Sequence, residues 1–126
     1  MLLTIDFESD IPIYTQLRNQ IVEGIALGYL KEGDELPSVR QMAEDIGINM
    51  HTVNKSYNVL KQEGFIKLDR RKGAVISLSF EDTKESTVSK LKEELSVVLA
   101  EAFCKKLSRE EIISLMNEIY NNYEGV

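Results

Sequence analysis

The side chains best suited to specific hydrogen bonding and charge pairing with another molecule lie between positions 38 and 73. They are hydrogen-bonding and cationic side chains, namely Arg40, His51, Thr52, Lys55, Asn58, Arg70, Arg71 and Lys72. Amide and imidazole groups pair with the edges of bases in the major groove, and hydroxyl and cationic groups bind phosphates. This set therefore favours the recognition of nucleic acid, provided that one surface presents the side chains together.

Few groups in the chain are suited to catalysis or to metal binding. The sequence contains one histidine and one cysteine, so these residues cannot form a ligand cluster. It has no HExxH pattern and no glycine-rich phosphate loop, and its carboxylates show no spacing that marks an acid–base pair. Cys104 fits a small buried apolar residue better than a redox centre, because no second cysteine accompanies it. We therefore predict no enzyme, no metal and no cofactor.

The net charge of −6 conceals an uneven distribution of charge along the chain. Residues 1–37 hold two basic and seven acidic side chains (−5), residues 38–78 hold seven and four (+3), and residues 79–126 hold six and ten (−4). Screening at physiological ionic strength limits attraction to roughly 8 Å, so the local charge decides whether phosphates can be contacted. The middle of this acidic chain is therefore the part that can meet DNA.

The first element that must support this surface is a long amphipathic helix. Asp10 followed by Ile11 and Pro12 predicts the start of the helix, and its end is expected near Leu30. Its apolar face repeats every four residues, at Ile13, Leu17, Ile21 and Ile25.

Two shorter helices are predicted on either side of a glycine turn. Ser38 and Gln41 form a capping-box pattern at the start of the first helix, which ends at Gly47. Asn49 caps the second helix, which ends at Gly64. The residues expected in the core are Val39, Met42, Ala43 and Ile46 from the first helix and Val53, Tyr57 and Leu60 from the second. The helical period then places His51, Lys55 and Asn58 on the opposite, outer face, with Thr52 beside them.

After the second short helix the pattern changes to that of strands. Residues 65–68 and 74–78 predict a hairpin, and its turn from Asp69 to Gly73 is basic. A helix-turn-helix followed by a hairpin is the winged-helix arrangement. We therefore predict an α+β fold in which residues 1–80 form a winged helix-turn-helix DNA-binding domain.

Residues 81–126 predict a tail of two helices. Val88, Leu91, Leu95, Val98 and Ala102 follow one another at intervals of three and four, as in a coiled-coil seam, and Ser108 with Glu111 opens the last helix. Such a seam either pairs with a second subunit or packs on the winged helix of its own chain. We favour a homodimer held by this tail, because two-fold symmetry matches a palindromic DNA site.

Other partners leave no mark on the sequence. The two helices of the tail are too few to enclose a ligand pocket of several hundred Å³ by themselves. The sequence therefore does not identify a small-molecule effector. No apolar run approaches the roughly 18–20 residues of a membrane span, and no basic leader follows Met1. We expect no membrane association and a cytoplasmic location.

Several segments resemble one family of bacterial regulators. GDELPSVRQMA at 33–43, INMHTVNKSYNVLKQEG at 48–64, the pair Ile13-Tyr14 and the basic hairpin resemble the GntR family, and within it the short YtrA-like subfamily, over about residues 10–78. The resemblance implies a dimeric winged-helix DNA binder that usually represses, often at operons for membrane transporters. It implies DNA contacts at Arg40, Asn49, His51, Thr52, Lys55 and Gly73.

Two positions depart from the family pattern. The Gly-x-Gly tip that is common in the family's wing keeps only its second glycine, Gly73, and Asn54 stands where an arginine is common. The full set of predicted DNA contacts is Arg40, Asn49, His51, Thr52, Lys55, Asn58, Arg70, Arg71, Lys72 and Gly73. An alternative is a winged helix that binds an acidic protein partner through its lysines and arginines. The polar set Asn49, His51, Thr52 and Asn58 favours DNA, because an acid-binding patch does not require it.

Overall fold

The computed structural model describes residues 3–125, which form five helices and one two-stranded sheet. The chain divides into two units between Phe80 and Glu81. The first unit contains α1 (Ile13–Ala26), α2 (Val39–Ile46), α3 (Met50–Glu63), β1 (Ile66–Asp69) and β2 (Gly73–Ile76). The second contains α4 (Lys84–Cys104) and α5 (Arg109–Glu124). The predicted α+β fold, with a winged helix-turn-helix followed by two helices, is confirmed.

The core of the first unit lies where α1, α2 and the sheet pack against α3. Its fully buried apolar side chains come from α1, α3 and the sheet. α2 contributes Met42 and Ala43, which are slightly exposed. The largest fully buried side chains are Leu17, Ile21, Leu60, Ile76 and Val53. α3 is therefore held on one side by the core, and its other side is left outward.

The bounds of α1 differ from the sequence prediction at both ends. The helix begins at Ile13 after Pro12, with no side-chain cap, so the expected role of Asp10 is wrong. It ends at Ala26 rather than near Leu30, because Gly28 adopts a left-handed conformation and Tyr29 and Leu30 donate their N–H groups back to the Gly24 carbonyl. The residues before the helix are held instead by the side chains of Gln16 and Gln20, which bond to the backbone of Asp6 and Thr4.

The caps of α2 and α3 are those that the sequence predicted. The Ser38 hydroxyl accepts the N–H of Gln41 at 3.1 Å, and Gly47 ends α2. The reciprocal half of the capping box is absent, because the Gln41 amide donates to Asp45 at 2.7 Å. Asn49 caps α3 and Gly64 ends it.

The wing is built from β1 and β2, which pair antiparallel with Ile66 opposite Ile76. Each strand differs by one or two residues at its ends from the predicted ranges 65–68 and 74–78. The connector before α2 follows the free edge of β2: Leu36 donates to Ala74, and Ile76 donates to Asp34. The hairpin is thereby fastened to the helix-turn-helix by backbone hydrogen bonds.

The end of α3 is locked to the two residues 79 and 80, which follow β2 of the wing. Gly64 has φ +90°, and a Cβ placed on it would lie 2.5 Å from the Ser79 carbonyl oxygen. The Ser79 N–H donates to the Gly64 carbonyl at 2.9 Å, and the rings of Phe65 and Phe80 meet edge to face at 5.1 Å. No other residue type fits at position 64 without moving the backbone.

The second unit has regular helices and no core of its own. Thr83 and Ser108 cap α4 and α5 with their hydroxyl groups, as the sequence predicted for Ser108. Neither helix has a buried side chain, and the two make few contacts with each other. Cys104 is exposed, so the expectation that it is buried is wrong.

Candidate nucleic-acid interface

The outward side of α3 carries most of the predicted contacts. His51, Lys55 and Asn58 are exposed, and Thr52 is half-buried. Val53, Tyr57 and Leu60 occupy the opposite side and are buried in the core. Because the core holds this helix over its length, the polar side chains are presented together, as the helical period predicted.

Asn49 contributes to this surface in a more restricted way than the sequence suggested. Its side-chain oxygen accepts the N–H of His51 at 2.6 Å and therefore caps the helix. Its amide NH₂ group keeps two hydrogens that can be donated to a base or to a phosphate. The cap also sets the direction in which the neighbouring residues leave the helix start.

Arg40 and Met50 lie on the same side of the glycine turn. Both are exposed, Met50 to 45%, and with Glu44, Gly47 and Ile48 they line one shallow depression. Met50 is not among the side chains that pack against the core, although it is apolar. Met50 was not predicted as a site residue, since an apolar residue at a helix start usually packs against the core.

Tyr57 joins the two helices that carry these residues. Its hydroxyl donates to the Pro37 carbonyl at 2.7 Å, and burial raises its pKa well above the usual value. Pro37 immediately precedes the Ser38 cap, so this bond sets the start of α2 against α3. The position of Arg40 relative to the outer face of α3 depends on it.

The turn of the wing is closed by an aspartate. The Asp69 carboxylate accepts the N–H groups of Arg71 at 2.7 Å and Lys72 at 3.1 Å, and these bonds lower its pKa. Gly73 follows with φ +79°, a conformation that favours glycine. Arg70, Arg71 and Lys72 are all exposed. The aspartate thus shapes the turn that lacks the family's first glycine.

Lys55 does not extend freely from α3. Its ammonium lies over the ring of Tyr14 in α1, with Nζ 4.1 Å from the ring centroid. Tyr14 was quoted only as part of the family resemblance and was not predicted as a site residue. Its contact with Lys55 joins residues 41 positions apart in the sequence, and no local pattern marks such a pair.

The part of the chain that the structure describes has neither a membrane-spanning helix nor a cluster of metal-binding side chains. Within residues 3–125, no helix is long and apolar enough to span a bilayer. The same residues contain no group of three or more histidine, cysteine, aspartate or glutamate side chains that could hold a metal ion.

Comparisons with known proteins agree on one family. The family model described as "Bacterial regulatory proteins, gntR family" matches residues 13–76, which is the stretch from α1 to β2. The chain is 34% identical over 125 residues to the HTH-type transcriptional repressor YtrA of Bacillus subtilis, with 98% of this chain and 96% of that protein covered.

Two solved structures extend the similarity to nearly the whole chain. YtrA from Sulfolobus acidocaldarius, a GntR-family transcription factor, is 42% identical with a TM-score of 0.58, and the match covers 92% of this chain and 94% of that one. A transcriptional antiterminator from Listeria monocytogenes EGD-e is 27% identical with a TM-score of 0.86, over 98% of this chain and 92% of that one.

Proposed function

We propose that this chain, which belongs to the gntR family of bacterial regulatory proteins and is a DNA-binding transcription regulator, represses transcription by binding a palindromic operator as a homodimer. The observation that carries the proposal is the outward side of α3. It presents His51, Lys55 and Asn58 in the one segment of an acidic chain that is positively charged. Arg40 of α2 lines a shallow depression together with Met50, the first residue of the same helix as these three side chains. A helix of this kind fits the major groove, and the basic turn of the wing then meets the backbone beside it.

The predicted contacts divide into base readers and phosphate binders. His51, Thr52 and Asn58 are placed for base edges, and the free amide of Asn49 extends this set. Arg40 can place its guanidinium on a guanine edge or on a phosphate. Arg70, Arg71 and Lys72 bind phosphates, and Gly73 lets the backbone of the wing approach. Met50 adds an apolar group suited to the methyl group of thymine.

The second unit supports the homodimer. Val88, Leu91, Leu95 and Val98 lie along one stripe of α4 and are 55%, 50%, 41% and 60% exposed. Apolar side chains at this spacing gain stability when they meet a second helix, because burial removes them from water. A dimer with two-fold symmetry places two copies of α3 on the two half-sites of a palindrome.

The sign and the target of regulation come from similarity. The YtrA protein of Bacillus subtilis is named a repressor, and the likeness to it spans 98% of this chain. We extend repression to this protein on that ground. The family resemblance supports an operon for a membrane transporter as the target, with the regulator acting in the cytoplasm, where the chromosome lies.

The proposal is tested by selecting fragments of the source genome with the purified 126-residue chain and then measuring affinity for the selected duplex. We expect one shared palindromic sequence and a steep dependence on salt, since each neutralised phosphate contributes about −0.9 to the slope of log K against log salt. Arg40→Ala should weaken binding by about 1–3 kcal/mol, which is roughly tenfold to over a hundredfold.

Arg109→Ala is the matched control for Arg40→Ala. It removes the same side chain and the same charge from an exposed position in the other unit, at the start of α5. Its affinity should stay within about twofold of the parent, since Arg109 is exposed and lies outside the unit proposed to contact DNA. A parent chain that selects no common sequence, with a salt slope near zero, would contradict the proposal and favour an acidic protein partner.

A further inference from the structure

The ammonium of Lys55 has an aromatic neighbour on another helix. Lys55 lies in the second turn of α3 and Tyr14 in the first turn of α1, and Nζ is 4.1 Å from the centroid of the tyrosine ring. An ammonium within about 6 Å of the face of such a ring is attracted by the negative charge of its π system. The contact therefore sets the direction in which the lysine extends.

No carboxylate competes with the ring for this ammonium. The ion pairs among residues 3–125 join Arg18 to Glu63 and Lys105 to Glu101. The neighbours of Lys55 at three and four positions along α3 are not acidic; they are His51, Thr52, Asn58 and Val59. A carboxylate would neutralise the ammonium, whereas a ring leaves its charge and its N–H donors available to a phosphate.

The contact also gives the Lys55 side chain a direction, towards another helix. Its ammonium is drawn sideways from α3 towards the ring of Tyr14 at the start of α1. In a major-groove complex the sugar–phosphate backbone flanks the recognition helix. A lysine stem is flexible, and a stem that is already held loses less freedom when it binds.

We propose that Tyr14 is a positioning residue whose ring holds the Lys55 ammonium for contact with a DNA phosphate. The inference rests on the proposed function and deepens it, because it assigns Lys55 to the backbone rather than to the bases. Lys55 then adds affinity for any duplex and contributes no preference among sequences. Tyr14 acts only through Lys55.

Four variants of the 126-residue chain test this role: Tyr14→Leu, Tyr14→Phe, Lys55→Ala, and Tyr14→Leu combined with Lys55→Ala. Leucine keeps an apolar side chain without a ring face, and phenylalanine keeps the ring without the hydroxyl. Affinity is measured at fixed salt on the selected operator and on a scrambled duplex of the same composition. A melting curve for each variant reports whether the fold is kept.

We expect Tyr14→Leu to weaken binding to both duplexes by roughly two- to fivefold, the range of an exposed cation–π contact. Tyr14→Phe should bind like the parent, and Tyr14→Leu should have no further effect when Lys55 is already alanine. An equal loss for Tyr14→Phe would assign the effect to the hydroxyl and overturn the proposal. A loss confined to the operator, or one that persists in the Lys55→Ala chain, would overturn it as well.

A second measurement does not depend on any variant. In the free parent chain, the protons on Cε of Lys55 should be shifted upfield in the NMR spectrum by the ring current of Tyr14. Unshifted protons would show that Lys55 and Tyr14 are not in contact in solution, which would overturn the proposal. A parent that binds neither duplex would end the proposed function, whereas a parent that binds normally while Tyr14→Leu has no effect would end this inference alone.

Discussion

The two units of this chain use the same helical signals and reach opposite degrees of burial. In the first unit, Leu17, Ile21, Val53 and Leu60 are fully buried. In the second, every residue from 81 to 125 is exposed or half-buried, although α4 is the longest helix and both helices are capped. Caps and periodicity therefore specify that a helix forms, and burial depends on whether other elements are available to pack against it.

The contrast extends to what each unit leaves on its surface. The first unit exposes cations and amides on one side of α3, while the second exposes a stripe of valine and leucine side chains. A polar surface suits a hydrated, charged partner such as DNA, whereas an apolar stripe gains most from another apolar stripe. We infer that the two units have divided recognition and assembly between them.

The largest expected effect comes from separating the units. A chain that ends at Phe80, which keeps the contact of this ring with Phe65, should remain folded and become monomeric. Its affinity for the palindromic operator should fall by about 10²–10⁴-fold, because the two half-sites are no longer bound by linked copies. Light scattering, circular dichroism and operator affinity measure the three properties. A 126-residue chain that is monomeric at micromolar concentration would contradict the assembly role.

A smaller effect distinguishes two adjacent valines of α4. Val98 belongs to the stripe and Val97 does not, yet they are 60% and 71% exposed in the single chain. Val98→Glu should raise the dissociation constant of the dimer at least about tenfold, since a charge would be buried between subunits. Val97→Glu should leave it unchanged within about twofold, because it stays in water. Sedimentation equilibrium compares them, and equal behaviour would mean that the stripe is not the interface.

Replacing one serine by alanine in each unit should give a smaller difference, which is measured in the free energy of unfolding. The hydroxyl of Ser56 is fully buried in α3 and has no hydrogen-bond partner among the residues that the structure describes. Ser56→Ala should raise the free energy of unfolding by about 1 kcal/mol, because an unsatisfied buried hydroxyl is removed. Ser96, in α4, is exposed and donates to the Lys92 carbonyl, so Ser96→Ala should change it by less than about 0.5 kcal/mol. Denaturant titration gives both values; a destabilised Ser56→Ala chain would show that the hydroxyl has a native partner.

The smallest effect is a response of the wing, in the first unit, to acid. The pKa of Asp69 is lowered by the N–H groups of Arg71 and Lys72, so the ionised carboxylate stabilises the turn of the wing. That stabilisation is complete above the unfolded pKa of about 3.9 and is lost as the pH falls through the lower folded pKa. No change is expected between about pH 5 and pH 8. The caps of α4 and α5 are uncharged hydroxyls and do not titrate in this range.

An NMR titration of the Asp69 carboxyl carbon measures this effect. We expect its midpoint below about 3.9, together with broadening of the wing amides at the same pH. Asp69→Asn is the control, since its side-chain oxygen still accepts the two N–H groups and carries no charge to titrate. A midpoint at or above 3.9 would show that the carboxylate does not hold the turn in solution.

What the sequence could predict is what depends on neighbouring residues. Ser38, Asn49 and Ser108 were predicted as caps from their residue types and spacing, and each accepts a backbone N–H two or three residues later. The family was identified because its longest matching segments span the same helix-turn-helix. These features need only local chemistry, and all of them are confirmed.

What the sequence could not predict depends on contacts between distant positions. Asp10 looked like a helix start, but side-chain bonds from Gln16 and Gln20 hold the preceding segment along α1 instead. Lys55 looked like a free cation, and its aromatic neighbour precedes it by 41 residues. The ten predicted DNA contacts are exposed or half-buried as expected, and their roles stay predictions.

The lock at Gly64 bears on how such a protein can change its target in evolution. Because no side chain fits there, the close approach of the end of α3 to the residue at 79, just beyond the wing, is set by backbone atoms. The outward residues of α3 take no part in that lock. Substitutions on the outer face of α3 can therefore change which bases are preferred without altering the spacing between this helix and the wing. Related proteins can then recognise different base sequences while keeping the same spacing.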